Sequence, residues 1–250
     1  MGQNVCENLL DIFAGVGVRD IFGVTGDALN AFLEAIRKDG RFRWVGVRHE
    51  ENAAYAACAQ AELTGGIGVC AGTTGPGALH LINGLYNAKK EGAGVVAVTG
   101  QVAHTERGTN YWQEVDLSKM FDDVCAYQAV IDTSAQMPRL AEIAVQKAFI
   151  DRTTARIEIP IDLTVAKIKS NHFMHPLVTE QSSVIPPDSE LDKAAQIINE
   201  GKRVALFCGI GCRNAKEEVL SLADRLNAPV VHTLLSLIHI SEPTRPTPIS

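Results

Sequence analysis

The chain has 250 residues, 46% of them hydrophobic, and a formal net charge of -6. That is the make-up of a globular protein with enough apolar material for one large domain and part of a second. Mild acidity without a basic stripe argues against nucleic acid as the main partner, and no apolar run nears the roughly 20 residues of a membrane span.

The first predicted element is a helix from Asn4 to Ala14, with apolar residues at Val5, Leu9, Ile12 and Phe13 and glycines at 15 and 17 to end it. Nothing ahead of it reads as a secretory signal, and Cys6 stands where a myristoylation signal needs Ser or Thr. Asp20 to Val24 reads as a strand, and Asp27 as the cap of a helix running to about Lys38. Strands follow at Trp44–Val47, Ile67–Ala71 and Gly94–Thr99, separated by an alanine-rich helix from Glu50 to Glu62 and a helix from about Ala78 to Lys89. Residues 101–118 are less regular. Beyond them lie a strand at Ala126–Ile131, a helix at Met137–Ile150 and a strand at Ala155–Ile159.

Strand and helix alternate with short connections, and strands apolar on both faces need helices on both sides. The predicted fold is therefore α/β with a mostly parallel sheet. Residues 1–166 are expected to form this domain. Residues 167–189, polar and carrying Pro176, Pro186 and Pro187, read as a linker. The pattern restarts at 190–234 with a helix (Leu191–Asn199), a strand (Arg203–Cys208), the turn Gly209-Ile210-Gly211, a helix (Lys216–Leu226) and a strand (Pro229–His232). Residues 235–250 break it: they hold three prolines, cannot complete a sheet, and resemble translated sequencing-adapter DNA, so the expectation is a non-native tail.

Two stretches carry the candidate chemistry. Arg48-His49-Glu50-Glu51 joins a strand end to a helix start. A carboxylate there, leading into an apolar helix, is desolvated and suited to share a proton with a nitrogen heterocycle. The same residue type also favours a helix N-terminus through the macrodipole, for ~0.5 kcal/mol, and pattern alone leaves both readings open. The second stretch, Gly72-Thr73-Thr74-Gly75-Pro76-Gly77, is neither a P-loop nor a dinucleotide fingerprint, and serves equally as ligand cradle or tight turn. Gly209-Ile210-Gly211 follows a strand, but Asn214 stands where a third glycine belongs, which excludes nicotinamide binding in the usual manner. His49, His80 and His104 have no metal-ligand spacing, so no metal site is predicted. Trp112 and Gln113 line a pocket or simply pack. The six cysteines lack Cys-x-x-Cys and mostly sit in apolar runs, as reduced buried thiols of a cytoplasmic protein do.

Gly23-Val24-Thr25-Gly26-Asp27, Arg48-His49-Glu50-Glu51, the run from Val69 to Gly77, and His80 through Leu85 resemble the thiamine-diphosphate enzymes, most closely the pyruvate oxidase and quinone-dependent pyruvate dehydrogenase group. The resemblance covers about residues 3–234. It implies that 1–166 is a pyrimidine-binding domain and 190–234 the start of a central FAD-type domain. It implies that Glu50 hydrogen-bonds N1′ of the aminopyrimidine and so promotes deprotonation of the thiazolium. Gly26, Thr74, Gly75, Pro76, Gly77, His80 and Asn83 would also lie against thiamine diphosphate, Gly209 and Gly211 against FAD, and Gln113 and Trp112 on the substrate side. Trp112 departs from the family's usual Phe.

The implied reaction is oxidative decarboxylation of pyruvate to acetate or acetyl phosphate, with quinone or oxygen as acceptor. The implied assembly is a cytoplasmic homodimer or homotetramer, with peripheral membrane association of the full-length enzyme open. The family's diphosphate and Mg2+ ligands, a Gly-Asp-Gly motif and a later Asn, are absent from this sequence, so the polypeptide as given is expected to be inactive alone. Two alternatives stand beside this reading: acetolactate synthase or another 2-oxo acid enzyme of the superfamily, and a non-catalytic binding module.

Overall fold

The computed structural model describes residues 2–168, 177–178 and 184–233. The tail from 235 and much of the expected linker lie outside the described residues. The chain divides into two compact units at 181/182.

The first unit opens with α1 (Val5–Gly15). Asn4 and Glu7 cap it reciprocally: the Glu7 N–H donates to Asn4 Oδ1, and the Asn4 N–H to Glu7 Oε2, both at 2.9 Å. Leu9, Ile12 and Phe13 are fully buried on one face; burial of Phe13 alone stabilises by ~1.5–3 kcal/mol. Then come β1 (Asp20–Gly23), α2 (Asn30–Asp39), β2 (Arg43–Gly46), α3 (Glu50–Thr64), β3 (Gly68–Gly72), α4 (Pro76–Leu79), α5 (Ile82–Glu91), β4 (Val95–Gln101), α6 (Leu117–Met120), β5 (Tyr127–Val130), α7 (Met137–Ile150) and β6 (Thr154–Pro160). All six strands are parallel, in the order β2-β1-β3-β4-β6-β5.

Helices cover both faces, as the doubly apolar strands require. Val69, Ala71, Val96 and Val98 pack with α1, α2 and α7; Cys70, Val95 and Ala97 point the other way into a core built from α3 and α5. The alanines of α3 (Ala53, Ala54, Ala57, Ala61) let it lie close to the sheet.

β6 departs from the apolar pattern. Ala155, Ile157 and Ile159 face the first core, but Thr154, Arg156 and Glu158 are buried on the other side. Arg156 is fully buried. It donates to Gln128 Oε1 at 2.9 Å, Thr99 Oγ1 at 3.2 Å and Glu158 Oε2, and its guanidinium lies 5.0 Å from the Phe121 ring centroid. Glu158 Oε1 also accepts from Arg107 at 2.9 Å.

Two expectations are corrected. Asp27 does not cap α2: it begins a 3-10 turn (Asp27–Leu29) with no side-chain cap, closed by the Leu29 N–H donating to the Gly26 carbonyl at 2.9 Å. The helix expected over 78–89 is split at His80–Leu81, where Leu81 N–H donates to Ala78 O at 3.0 Å in a tightened turn. Residues 167–168 pair back with the first unit, through an antiparallel bridge between Asn4 and Lys167 and a bond from Ile168 N–H to Gln3 O.

The second unit holds α8 (Asp188–Glu200), β7 (Leu206–Cys208), a 3-10 turn over Ile210–Cys212, α9 (Lys216–Leu226) and β8 (Val230–His232), with β7 and β8 parallel.

Candidate active site

The strand order places the site before any side chain is considered. The chain leaving β1 returns on one side, as β2; the chain leaving β3 returns on the other, as β4. The loops after β1 and β3 therefore diverge, and the crevice at the carboxyl ends of these adjacent strands is where open α/β sheets bind ligands. Gly26 and Thr73–Gly75 lie in those loops, with Pro76 and Gly77 opening α4, and the loop after β2 brings in Arg48 and His49, with Glu50 opening α3.

His49 is the N-cap of α3: extended at φ -154 and ψ 141, its Nδ1 accepts the Glu51 N–H at 3.3 Å. The two carboxylates that follow then part. Glu51 turns outward and accepts from Asn83 of α5. Glu50 turns inward, only 8% exposed, with Oε2 3.0 Å from Nδ1 of His80. His80 closes α4, so this bond joins the loop after β2 to the loop after β3. Glu50 Oε1 takes no hydrogen bond among the described residues.

The glycines at the crevice have distinct tasks. A Cβ on Gly26 would stand 2.4 Å from Cβ of Thr73, so this glycine lets the two diverging loops touch. Gly75, at φ +64, would put a Cβ 2.3 Å from the backbone oxygen of Gln113, so here the glycine loop meets the long loop after β4. Only at Gly77 does the missing side chain open onto the acid: a Cβ there would reach 3.1 Å from Glu50 Oε1. Thr74 is buried and Pro76 exposed. Gln113 has φ +69 and touches Gly75 through its backbone, while Trp112 beside it is 76% exposed. Gly209 and Gly211 lie in the second unit, where a Cβ added at either would meet nothing within 4 Å among the described residues.

Sequence spacing separates His49 from His80, yet the fold stacks them with ring centroids 4.3 Å apart. Donor atoms of His49, Glu50 and His80 all lie within 4.8 Å of one another. No spacing rule covers ligands drawn from different loops, and only the strand order reveals the cluster. His104 stands elsewhere, its Nδ1 2.9 Å from Asp162 Oδ2. Sequence reading also passed over the Arg107–Glu158–Arg156 network. It borders a cleft of about 460 Å³ beside Gln101 and Ser118, and its signal was the alternation of polar residues along β6.

Residues 3–120 match the family model for the thiamine pyrophosphate enzyme N-terminal TPP binding domain, and residues 191–245 match the model for the central domain. Over 219 residues the chain is 39% identical to the YdaP protein of Bacillus subtilis (strain 168), covering 87% of this chain and 38% of that one. It is 31% identical to a pyruvate oxidase of Lactiplantibacillus plantarum, over 90% of this chain and 38% of the relative. It is 31% identical to an acetolactate synthase of Mycobacterium leprae, over 94% and 37%. The chain thus spans less than two fifths of each of these relatives.

Proposed function

The chain belongs to the thiamine pyrophosphate enzyme family, and we propose that its first unit is the pyrimidine-binding side of an active site that oxidatively decarboxylates pyruvate. The observation that carries this reading is the Glu50 carboxylate: buried at the switch-point crevice, fixed through one oxygen by His80, with the other oxygen unengaged among the described residues. A buried carboxylate with one oxygen held and the other open is the acceptor that a protonated ring nitrogen needs.

Glu50 would hold the aminopyrimidine at its ring nitrogen, and His80 would keep the carboxylate from rotating away. Thr74 and Gly77 would form the wall on the β3 side, and the Gln113 loop would face the substrate. When bound, thiamine diphosphate supplies the electron sink for the pair left as CO2 departs. FAD at Gly209 and Gly211, Mg2+ held by residues outside this sequence, and a quinone or oxygen acceptor complete the proposal. Domain limits of 1–166 and 190–234 belong to it as well. No described helix is long and apolar enough to cross a membrane.

Glu50→Gln tests the reading. It keeps the shape but removes the charge, and the lost charge-assisted hydrogen bond is worth ~1.5–3 kcal/mol. Thiamine diphosphate binding to the 250-residue chain, followed by tryptophan fluorescence, is expected to weaken by about 10- to 100-fold. Unchanged binding in Glu50→Gln sinks the proposal. Acetolactate synthase is the second reading, favoured by the equal identity to that relative. Product analysis of the full-length enzyme separates them: acetate or acetyl phosphate supports the first, acetolactate the second.

A further inference from the structure

The geometry points to a transition-metal site formed by His49, Glu50 and His80, through which a Zn2+-class ion competes with the pyrimidine for the same carboxylate. The inference rests on the proposed cofactor reading only in its competitive part; the metal site stands on the three side chains alone.

The donors come from separate loops but converge. His80 Nδ1 and Glu50 Oε2 are already 3.0 Å apart, close to the spacing of two ligands on one tetrahedral ion with metal–ligand bonds of about 2.0–2.2 Å. His49 supplies the third donor within 4.8 Å of both. Its Nδ1 accepts the Glu51 N–H at 3.3 Å, so ligation takes either release of that contact, with Nδ1 binding the ion, or a tautomer switch that frees Nε2. Both imidazole side chains are 46% exposed, so an ion has an entry path, while the carboxylate beneath them is buried. Two imidazoles and one carboxylate suit zinc, cobalt, nickel or copper; Mg2+ and Ca2+ prefer all-oxygen shells. Three protein ligands leave further positions to water.

An ion here would take the carboxylate and turn His80 from a positioning partner into a ligand. Glu50 then keeps only Oε1 for a ring nitrogen, and the ion's positive charge beside it opposes a proton held there. Binding of metal therefore weakens binding of pyrimidine, and pyrimidine weakens metal by the same factor.

The test is a titration of the metal-free 250-residue chain with Co2+, read by its visible absorption, with thermal melts of each variant to confirm folding. One cobalt per chain is expected, with no thiolate-to-cobalt band, since the ligands are nitrogen and oxygen. His49→Ala and His80→Ala should each abolish saturable binding, whereas His104→Ala and the double variant C208S/C212S should keep it. Excess Mg2+ should leave the spectrum unmoved. Binding that survives both His49→Ala and His80→Ala, a thiolate band, or the lack of any histidine-dependent binding overturns the site. Thiamine, which lacks the chelating diphosphate, should raise the apparent Kd for Co2+. A histidine-dependent cobalt signal indifferent to thiamine would leave the metal site standing and count against the cofactor reading.

Discussion

Removing the carboxylate of Glu158 strands a positive charge in the middle of the first unit. Arg156 is fully buried and Glu158 is 3% exposed, so Glu158→Ala leaves a guanidinium without its counter-charge in a water-poor interior. Breaking a buried pair in this way costs ~3–5 kcal/mol. Arg156 keeps its bonds to Gln128 and Thr99 and its contact with Phe121, and Arg107 keeps Asp132 at 3.1 Å, which favours the lower end, ~3 kcal/mol. At about 2–4 °C per kcal/mol for a domain of this size, Tm should fall by roughly 6–12 °C. Both tryptophans, Trp44 and Trp112, lie in the first unit, so intrinsic fluorescence during urea or thermal unfolding reports that unit alone. The double variant R156M/E158L removes both charges and fills the space, and should cost less than half of what Glu158→Ala costs. A Glu158→Ala melt at the wild-type temperature, or a double variant worse than the single, refutes the reasoning.

Gly75→Ala combines a positive φ with a collision against the Gln113 carbonyl, and should destabilise by ~1–3 kcal/mol while quickening proteolysis of the loop 102–116. A variant with wild-type melting and cleavage would show that the loops are not in contact. Burial raises the Cys6 and Cys125 thiols to about 12 and Cys70 further still, so at pH 8 iodoacetamide should label partly exposed Cys212 first and these three only on unfolding. Mass spectrometry of the native chain checks the order, and early labelling of Cys6 or Cys125 contradicts it. Burial raises the Asp162 pKa, but the His104 ring and backbone bonds outweigh it, so the carboxyl titrates below its ordinary 3.8. A depressed acid stabilises above its unfolded pKa and loses that contribution as pH falls through the folded one. Asp162→Asn should therefore lower Tm at neutral pH and flatten the loss of stability below pH ~4; an unchanged acid slope would deny the bond a role.

Local signals carried much of the fold. The helices at Met137–Ile150 and Lys216–Leu226 have the bounds that apolar period and flanking residues predict. The parallel sheet follows from strands apolar on both faces. A carboxylate buried at a helix start was legible at Glu50, where a strand end and an alanine-rich helix lie within a short window, while pattern alone left its role open. What sequence could not give depends on distant partners. The break at His80 lies where that side chain reaches Glu50, thirty residues earlier. Thr154, Arg156 and Glu158 are polar residues in a central position, tolerated because Gln128, Thr99 and Arg107 arrive from other elements. Gly26 and Gly75 make room for Thr73 and Gln113, contacts that no local pattern predicts.

That the crevice loops touch one another has a consequence for how the molecule acquires its site. The contacts of Gly26 with Thr73, Glu50 with His80 and Gly75 with Gln113 each close a long stretch of chain, and β1 can pair with β3 only across the intervening β2 and α3. Closures of this kind come late, because loop entropy must be met before distant contacts reward it. Helices and single βα units can form early and still leave the acid facing water with no histidine beside it. The Glu50–His80 pair is thus a marker of completed folding, and a chain stalled before β3 docks has its helices but nothing with which to bind.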